Sequence, residues 1–260
     1  MFWVDTNMII TAALVFFRVG GILFALPVFG DNPTPVRVRI LLAGAIAIGV
    51  YPMLPPGWAV FQNPGILEVT FMIARELLIG LGIGYLARTV FDGIVMAASV
   101  VGYQMGFGTA NLFVQDAAYQ MDGFTAFHRI IVMLIFLGLS LHHIFLNAVV
   151  DTFQVIPAGG AGFSGGLIAT LVSISAKVFA IAVQLSAPII IALLFTMAAL
   201  GLIARAVPQL NVFTLSFPVS FFLGLMVYIA TLPFLPEWMR GEFQKSQFDV
   251  IAAIRGFTVP

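Results

Sequence analysis

The chain is 260 residues long, 61% hydrophobic and only 8% charged, whereas soluble domains run near 25% charged, so it reads as an integral membrane protein. Eleven acidic and eleven basic side chains cancel, which leaves no global field to draw a nucleic acid or an anionic substrate. The absence of cysteine excludes disulfides, thiolate metal sites, iron–sulfur clusters and thiol nucleophiles.

The opening MFWVDTNM has an acid and no base ahead of the first apolar run, and no A-x-A-like site follows. It does not read as a cleaved signal peptide, so the first segment is expected to be retained. Residues 8–29 are apolar enough to span except for Arg18, which sits too near the middle to snorkel and should face a partner or a wet cavity. Gly20 and Gly21 beside it would let another backbone approach. In residues 30–39, Pro33 and Pro35 argue against helix, and Arg37 and Arg39 form the densest basic spot. The run 40–54 would reach only about 22 Å, short of the ~30 Å hydrocarbon core. It either continues back through residues 36–39 or does not cross lipid alone.

Residues 66–105 continue without a proline for about 60 Å, twice a bilayer core. They carry Glu68, Arg75, Glu76, Arg88 and Asp92. Arg88 and Asp92 lie at i, i+4, and Glu68 and Arg75 two turns apart, so each pair could share a face. Gly80, Gly82 and Gly84 fall between the charges, with a GxxxG step at 80/84. The expectation is a helix that bends or folds back as a hairpin.

Residues 102–129 interrupt the apolar pattern. They hold Asn111, Gln115, Asp116, Gln120 and Asp122 among Met105, Phe107, Leu112, Phe113, Tyr119, Met121 and Phe124. Burying such apolar groups stabilises by roughly 1.5–3 kcal/mol each, and the polar ones would not sit in lipid. A protein-lined or partly wet cavity suits both, because irregular backbone is tolerated there at membrane depth. The plain alternative is a surface loop with incidental aromatics.

Helix should resume from Phe124 to Val150. His128, His142 and His143 are not spaced to place two ligands on one face, so polar helix contacts are expected in place of a metal site. Asp151 opens a Gly-rich loop, and residues 167–205 form a long helix expected to kink at Pro188. With six crossings, the basic residues Arg37, Arg39, Arg129 and Arg205 would share the cytoplasmic side. Arg240, Lys245 and Arg255 in the tail break that pattern and leave orientation open.

From Ala199 the chain reads ALGLIARAVPQLNVFTLSFPVSFFLGL. This resembles the C-terminal signature of the FliR family, the R-type subunit of the flagellar export gate, related to the T-type subunit of virulence injectisomes. Gly201, Leu202, Ala204, Arg205, Pro208, Gln209, Asn211, Val212, Phe213, Phe217 and Pro218 carry the likeness. Pro27, Glu76 with Ile79, Gly80 and Leu81, then Gly102, Gln104, Met105 and Gly106, His142, His143, Phe153 and Pro157 extend it along nearly the whole chain. Family members usually show an Asp-Pro in the middle loop. Phe113, Val114, Gln115, Asp116 and Ala117 stand there instead.

The resemblance implies an all-α, polytopic membrane-associated protein built of long bent helical hairpins. It implies one subunit over 1–260: N-terminal helices (1–105), a pore or plug loop (106–124), C-terminal hairpins (125–236) and a polar tail (237–260). The plug would draw on Met105, Gly106, Phe107, Gly108, Leu112, Phe113, Asp116, Met121 and Phe124. Assembly would rest on Arg18, Arg75, Glu76, Arg88, Asp92, Arg205, Pro208, Gln209 and Asn211. Implied partners are P-type and Q-type subunits, with B-type and A-type export subunits, unfolded cargo chains and lipid, but no nucleic acid and no cofactor or metal. The implied site is the bacterial inner membrane at the flagellar basal body. A competing reading, an autonomous transporter, would show an inverted repeat, and none is visible. An intramembrane enzyme would need a nucleophile with its base, but the chain holds no HExxH, G-x-S-x-G or P-loop.

Overall fold

The computed structural model describes residues 6–27, 35–55, 58, 64–107, 123–156, 165–207, 209 and 211–256. These residues are helical, with turns between the helices and no strand among them. The helices are α1 (Thr6–Ala25), α2 (Val36–Val50), α3 (Ile66–Gln104), α4 (Gly123–Gly138), α5 (His142–Val155), α6 (Gly165–Ala206), α7 (Val212–Thr231) and α8 (Leu235–Gly256). Short 3-10 turns follow α2 at Tyr51–Met53 and α7 at Leu232–Phe234.

Helix α2 begins at Val36 because Pro35 stands at its N-cap. The Pro35 carbonyl accepts from the Val38 and Arg39 amides at 2.9 and 3.3 Å, and a missing proline N–H costs nothing at that end. Arg37 and Arg39 therefore lie in the first turn of a helix, contrary to the non-helical stretch expected over 30–39. The Arg39 guanidinium lies 5.6 Å from the centre of the Phe24 ring. Counted from Val36 through Met53, the segment reaches 18 residues, which resolves the short run in favour of continuation.

Helix α3 is a single element of 39 residues, so the fold-back hairpin expected over 66–105 does not form. Its glycines serve close packing. A side chain at Gly80 would run into the Arg18 backbone carbonyl, and one at Gly21 would come 2.8 Å from the Leu77 carbonyl. Helices α1 and α3 thus meet backbone to backbone, as small residues allow in apolar surroundings.

Where one helix is expected from Phe124 to Val150, the chain breaks between Gly138 and His142. Ser140 there adopts φ +54°, a left-handed conformation uncommon for a side chain. Helix α5 then runs on to Val155, so Asp151 lies inside a helix and does not open a loop. Helix α6 passes through Pro188 as one element of 42 residues, although proline leaves the Gln184 carbonyl without its intrahelical donor.

The chain divides into two compact units. The first takes residues 1–90, 140–175 and 242–260, and the second takes 91–139 and 176–241. Leu14, Val15, Ile22, Ile79, Phe153 and Phe243 are buried within the first. In the second, Ala98, Val101, Met105, Phe124, Ile189, Leu193 and Tyr228 form the core. Among the described residues four stretches are long and apolar enough to cross a membrane: Thr6–Ala25, Val36–Met53, Val172–Ala206 and Thr214–Ser246. The pair Gly123–Gly138 and His142–Val155 makes a fifth if counted as one span. Leu41, Ile48, Phe195, Phe222 and Met226 on these stretches are exposed, so the helices require an apolar environment outside the chain itself. The protein is an all-α polytopic membrane protein.

Candidate functional site

Two constellations stand out, one in each unit. In the first unit Arg18 of α1 and Glu76 of α3 are both fully buried and form an ion pair, with Arg18 Nε 2.5 Å from Glu76 Oε2. Neither charge could remain there alone, because breaking a buried pair by losing one partner costs about 3–5 kcal/mol. Arg18 Nη1 also donates to the carbonyls of Thr152 (3.0 Å) and Ile156 (3.1 Å) at the end of α5. The indole N–H of Trp58 donates to the same Ile156 carbonyl at 3.0 Å. The guanidinium carbon lies 5.2 Å from the Trp58 ring centre and 4.6 Å from that of Phe153. Those two rings meet edge to face at 5.3 Å, a geometry that adds attraction beyond area burial.

All but one of the expected assembly residues are described. Arg18 and Glu76 are each other's partners, whereas the neighbouring Arg75 is exposed. Arg88 and Asp92 are half-buried one turn apart on α3. Arg205 lies exposed in the last turn of α6, where a cation suits the helix dipole. Asn211 caps α7: its side chain accepts from the Thr214 amide at 3.3 Å. Gln209 occupies an exposed turn, and Pro208 lies outside the described residues. Trp58 and Thr152 complete the hub without having been singled out, and Phe153 was named only for the family likeness. A lone indole in a proline-rich, charge-free turn was the available signal.

The second constellation receives the two ends of the middle segment. Of the expected plug residues, Met105, Gly106, Phe107 and Phe124 are described, while Gly108, Leu112, Phe113, Asp116 and Met121 lie outside the described residues. Helix α3 ends in a turn, with the Gly106 amide on the Tyr103 carbonyl at 3.1 Å and Gly106 at φ +94°. A side chain at Gly106 would come 2.6 Å from the Phe217 ring, so glycine is required twice over. Met105 is fully buried and fills the notch that Gly224 leaves on α7.

Beyond that turn the rings of Phe107 and Phe124 stack at 5.8 Å, so the two ends of the segment touch. Phe221 packs on Phe107 at 5.5 Å, and Tyr228 meets Phe124 edge to face at 5.0 Å. His128 Nδ1 and the Tyr228 hydroxyl are hydrogen-bonded at 2.8 Å. An apolar cavity of about 290 Å³ adjoins this neck, lined in part by Ala98, Val101, Phe124, His128, Pro188 and Tyr228. Tyr228 is 100 residues from its histidine, and no sequence spacing announced the pair.

A family described as Bacterial export proteins, family 1, matches residues 9–246, a span that takes in both constellations. The chain belongs to this family. It is 27% identical over 242 residues to the flagellar biosynthetic protein FliR of Escherichia coli K12, covering 91% of this chain and 89% of that one. It is 28% identical over 235 residues to the FliR protein of Bacillus subtilis (88% and 89% covered). With that of Caulobacter vibrioides it shares 30% over 226 residues (85% and 88% covered).

In this bacterial export protein the two constellations differ in chemistry. The hub is a desolvated charge whose donors are aimed at particular backbone carbonyls. The neck is a set of rings and one thioether that hold by shape, with a single directional bond at His128 and Tyr228. Both join helices that are distant in sequence, the hub through Arg18 Nε and Nη1 and the neck through His128 and Tyr228.

Proposed function

We propose that the chain is a structural, non-enzymatic channel subunit of the type III protein export gate through which flagellar proteins leave the cell. It works as one member of a hetero-oligomer with P-type and Q-type subunits, alongside B-type and A-type export subunits, in the bacterial inner membrane at the flagellar basal body. The family match across residues 9–246 carries this reading, and the printed names of the relatives favour the flagellar over the injectisome apparatus. Helices with exposed apolar faces support membership of an assembly, since neighbouring subunits or lipid must cover them.

Within that reading residues 106–124 serve as the plug. The joined ends, Phe107 on Phe124, support a segment that leaves and returns at one point. Bulky, adaptable groups such as Leu112, Phe113 and Met121 can pack across a gap and yield to a passing unfolded chain, and apolar constrictions impede ions by dewetting. Asp116 and its polar neighbours would keep the open state wet.

Copurification tests the assignment. A tagged full chain extracted from membranes is expected to bring down unlike P-type and Q-type subunits in a stable complex. Recovery alone, as a homo-oligomer that transports a solute by itself, would contradict it.

A further inference from the structure

The end of α5 poses a hydrogen-bonding problem. The helix stops at Val155, so the Ile156 carbonyl has no helical donor ahead of it, and Ile156 is fully buried. A helix end buried without partners for its carbonyls is costly. Here two other elements supply the donors: Trp58 Nε1 to Ile156, and Arg18 Nη1 to both Ile156 and Thr152. The cation also meets the negative end of the α5 dipole.

The contact between α1 and α3 needs no such help, since Gly21 and Gly80 already bring the two backbones together. The charge in α1 is therefore explained poorly as glue between α1 and α3. It is explained well as a hand reaching past α3.

We propose that Arg18 and Trp58 form a latch on the C-terminal end of α5, and that Glu76 is its positioning residue. Glu76 holds Arg18 Nε so that Nη1 faces the two carbonyls, and it supplies the counter-charge without which a cation in an apolar helix is disfavoured. A lysine at position 18 could satisfy Glu76 but lacks the planar fork that reaches two directions at once. The latch joins three stretches that are distant in sequence and does not depend on the export reading.

The test is amide hydrogen exchange on the full chain in detergent. The decisive variant is the double substitution Arg18→Met with Glu76→Leu, which leaves no buried charge and so keeps the chain foldable, since apolar replacement of a whole buried pair is often neutral. Its amides at 152–156 are expected to exchange about tenfold faster or more than those of the parent, as a local opening, while α1 and the first half of α3 keep their protection. Glu76→Gln, which keeps an acceptor but removes the counter-charge, and Arg18→Lys, which keeps the charge but loses the fork, should both fall between the parent and the double variant. If the double variant protects residues 152–156 as well as the parent does, the latch is overturned. Equal loosening of α1, α3 and α5 would also overturn it, because the pair would then be only an α1–α3 adhesive. Should the single variants fail to accumulate, the double variant still decides.

Discussion

The hub around Arg18 and the neck around Phe124 solve the same problem, joining distant helices in an apolar protein, by opposite means. At the hub the hydrogen bonds set the geometry: one guanidinium donates to one carboxylate and two carbonyls, and the Trp58 indole N–H donates to one of the same carbonyls. Such a network has one good geometry and fails abruptly when a member is lost. At the neck Phe107, Phe124, Phe221 and Met105 pack by shape, and ring contacts persist over offsets of an ångström or so because dispersion is spread over many atoms. A region that must stay fixed is tied by charge. The base of the proposed plug is cushioned by rings.

The largest expected effect comes from Glu76→Leu alone. Leaving Arg18 buried without its counter-charge should cost about 3–5 kcal/mol, seen as a steep fall in folded chain recovered from membranes. The Arg18→Met, Glu76→Leu double variant should recover most of that yield, and equal yields would erase the distinction between a directional hub and simple packing. Gly106→Val comes next, because it forces a β-branched residue to φ +94° under the Phe217 ring. A loss of about 1–3 kcal/mol is expected, read from thermal unfolding in detergent. At the neck's one directional bond, Tyr228→Phe leaves the buried His128 ring nitrogen without that partner and should cost about 1–3 kcal/mol. The double His128→Phe, Tyr228→Phe change should be milder than the sum of the two, since it removes both polar atoms. Asn211→Ala should matter least. The cap is exposed and 3.3 Å long, so about 0.5–1 kcal/mol is expected, below the roughly 1–3 kcal/mol a buried group would have implied.

The sequence made some of this legible and hid the rest for physical reasons. A charge in mid-span demands a partner, so Arg18 and Glu76 were both marked. That they are partners across 58 residues is a fact of packing, which composition does not encode. The glycines at 80 and 84 were read both as a close-packing step and as licence to bend or fold back; the close approach to α1 formed and the fold-back did not. Asn211, whose cap on Thr214 is local chemistry, was legible as part of the family signature. The break at Ser140 was not, because it rests on a left-handed residue that local preference disfavours. Met105 and Phe124 were visible as apolar groups in a polar interruption. Their place in the second unit's core depended on Gly224 and Tyr228, more than 100 residues further along the chain.

The plug is the part of the proposal that acts on a passing chain, and one measurement reaches it directly. Deleting residues 108–120 leaves three residues to bridge Phe107 and Phe124, whose rings already touch at 5.8 Å. Three extended residues span about 10 Å, so the cut should be tolerated. In an assembled complex of normal yield the deletion is expected to raise ion conductance across the membrane while export continues. An unchanged conductance in a complex of normal yield would contradict the account and leave residues 108–120 as an ordinary surface loop.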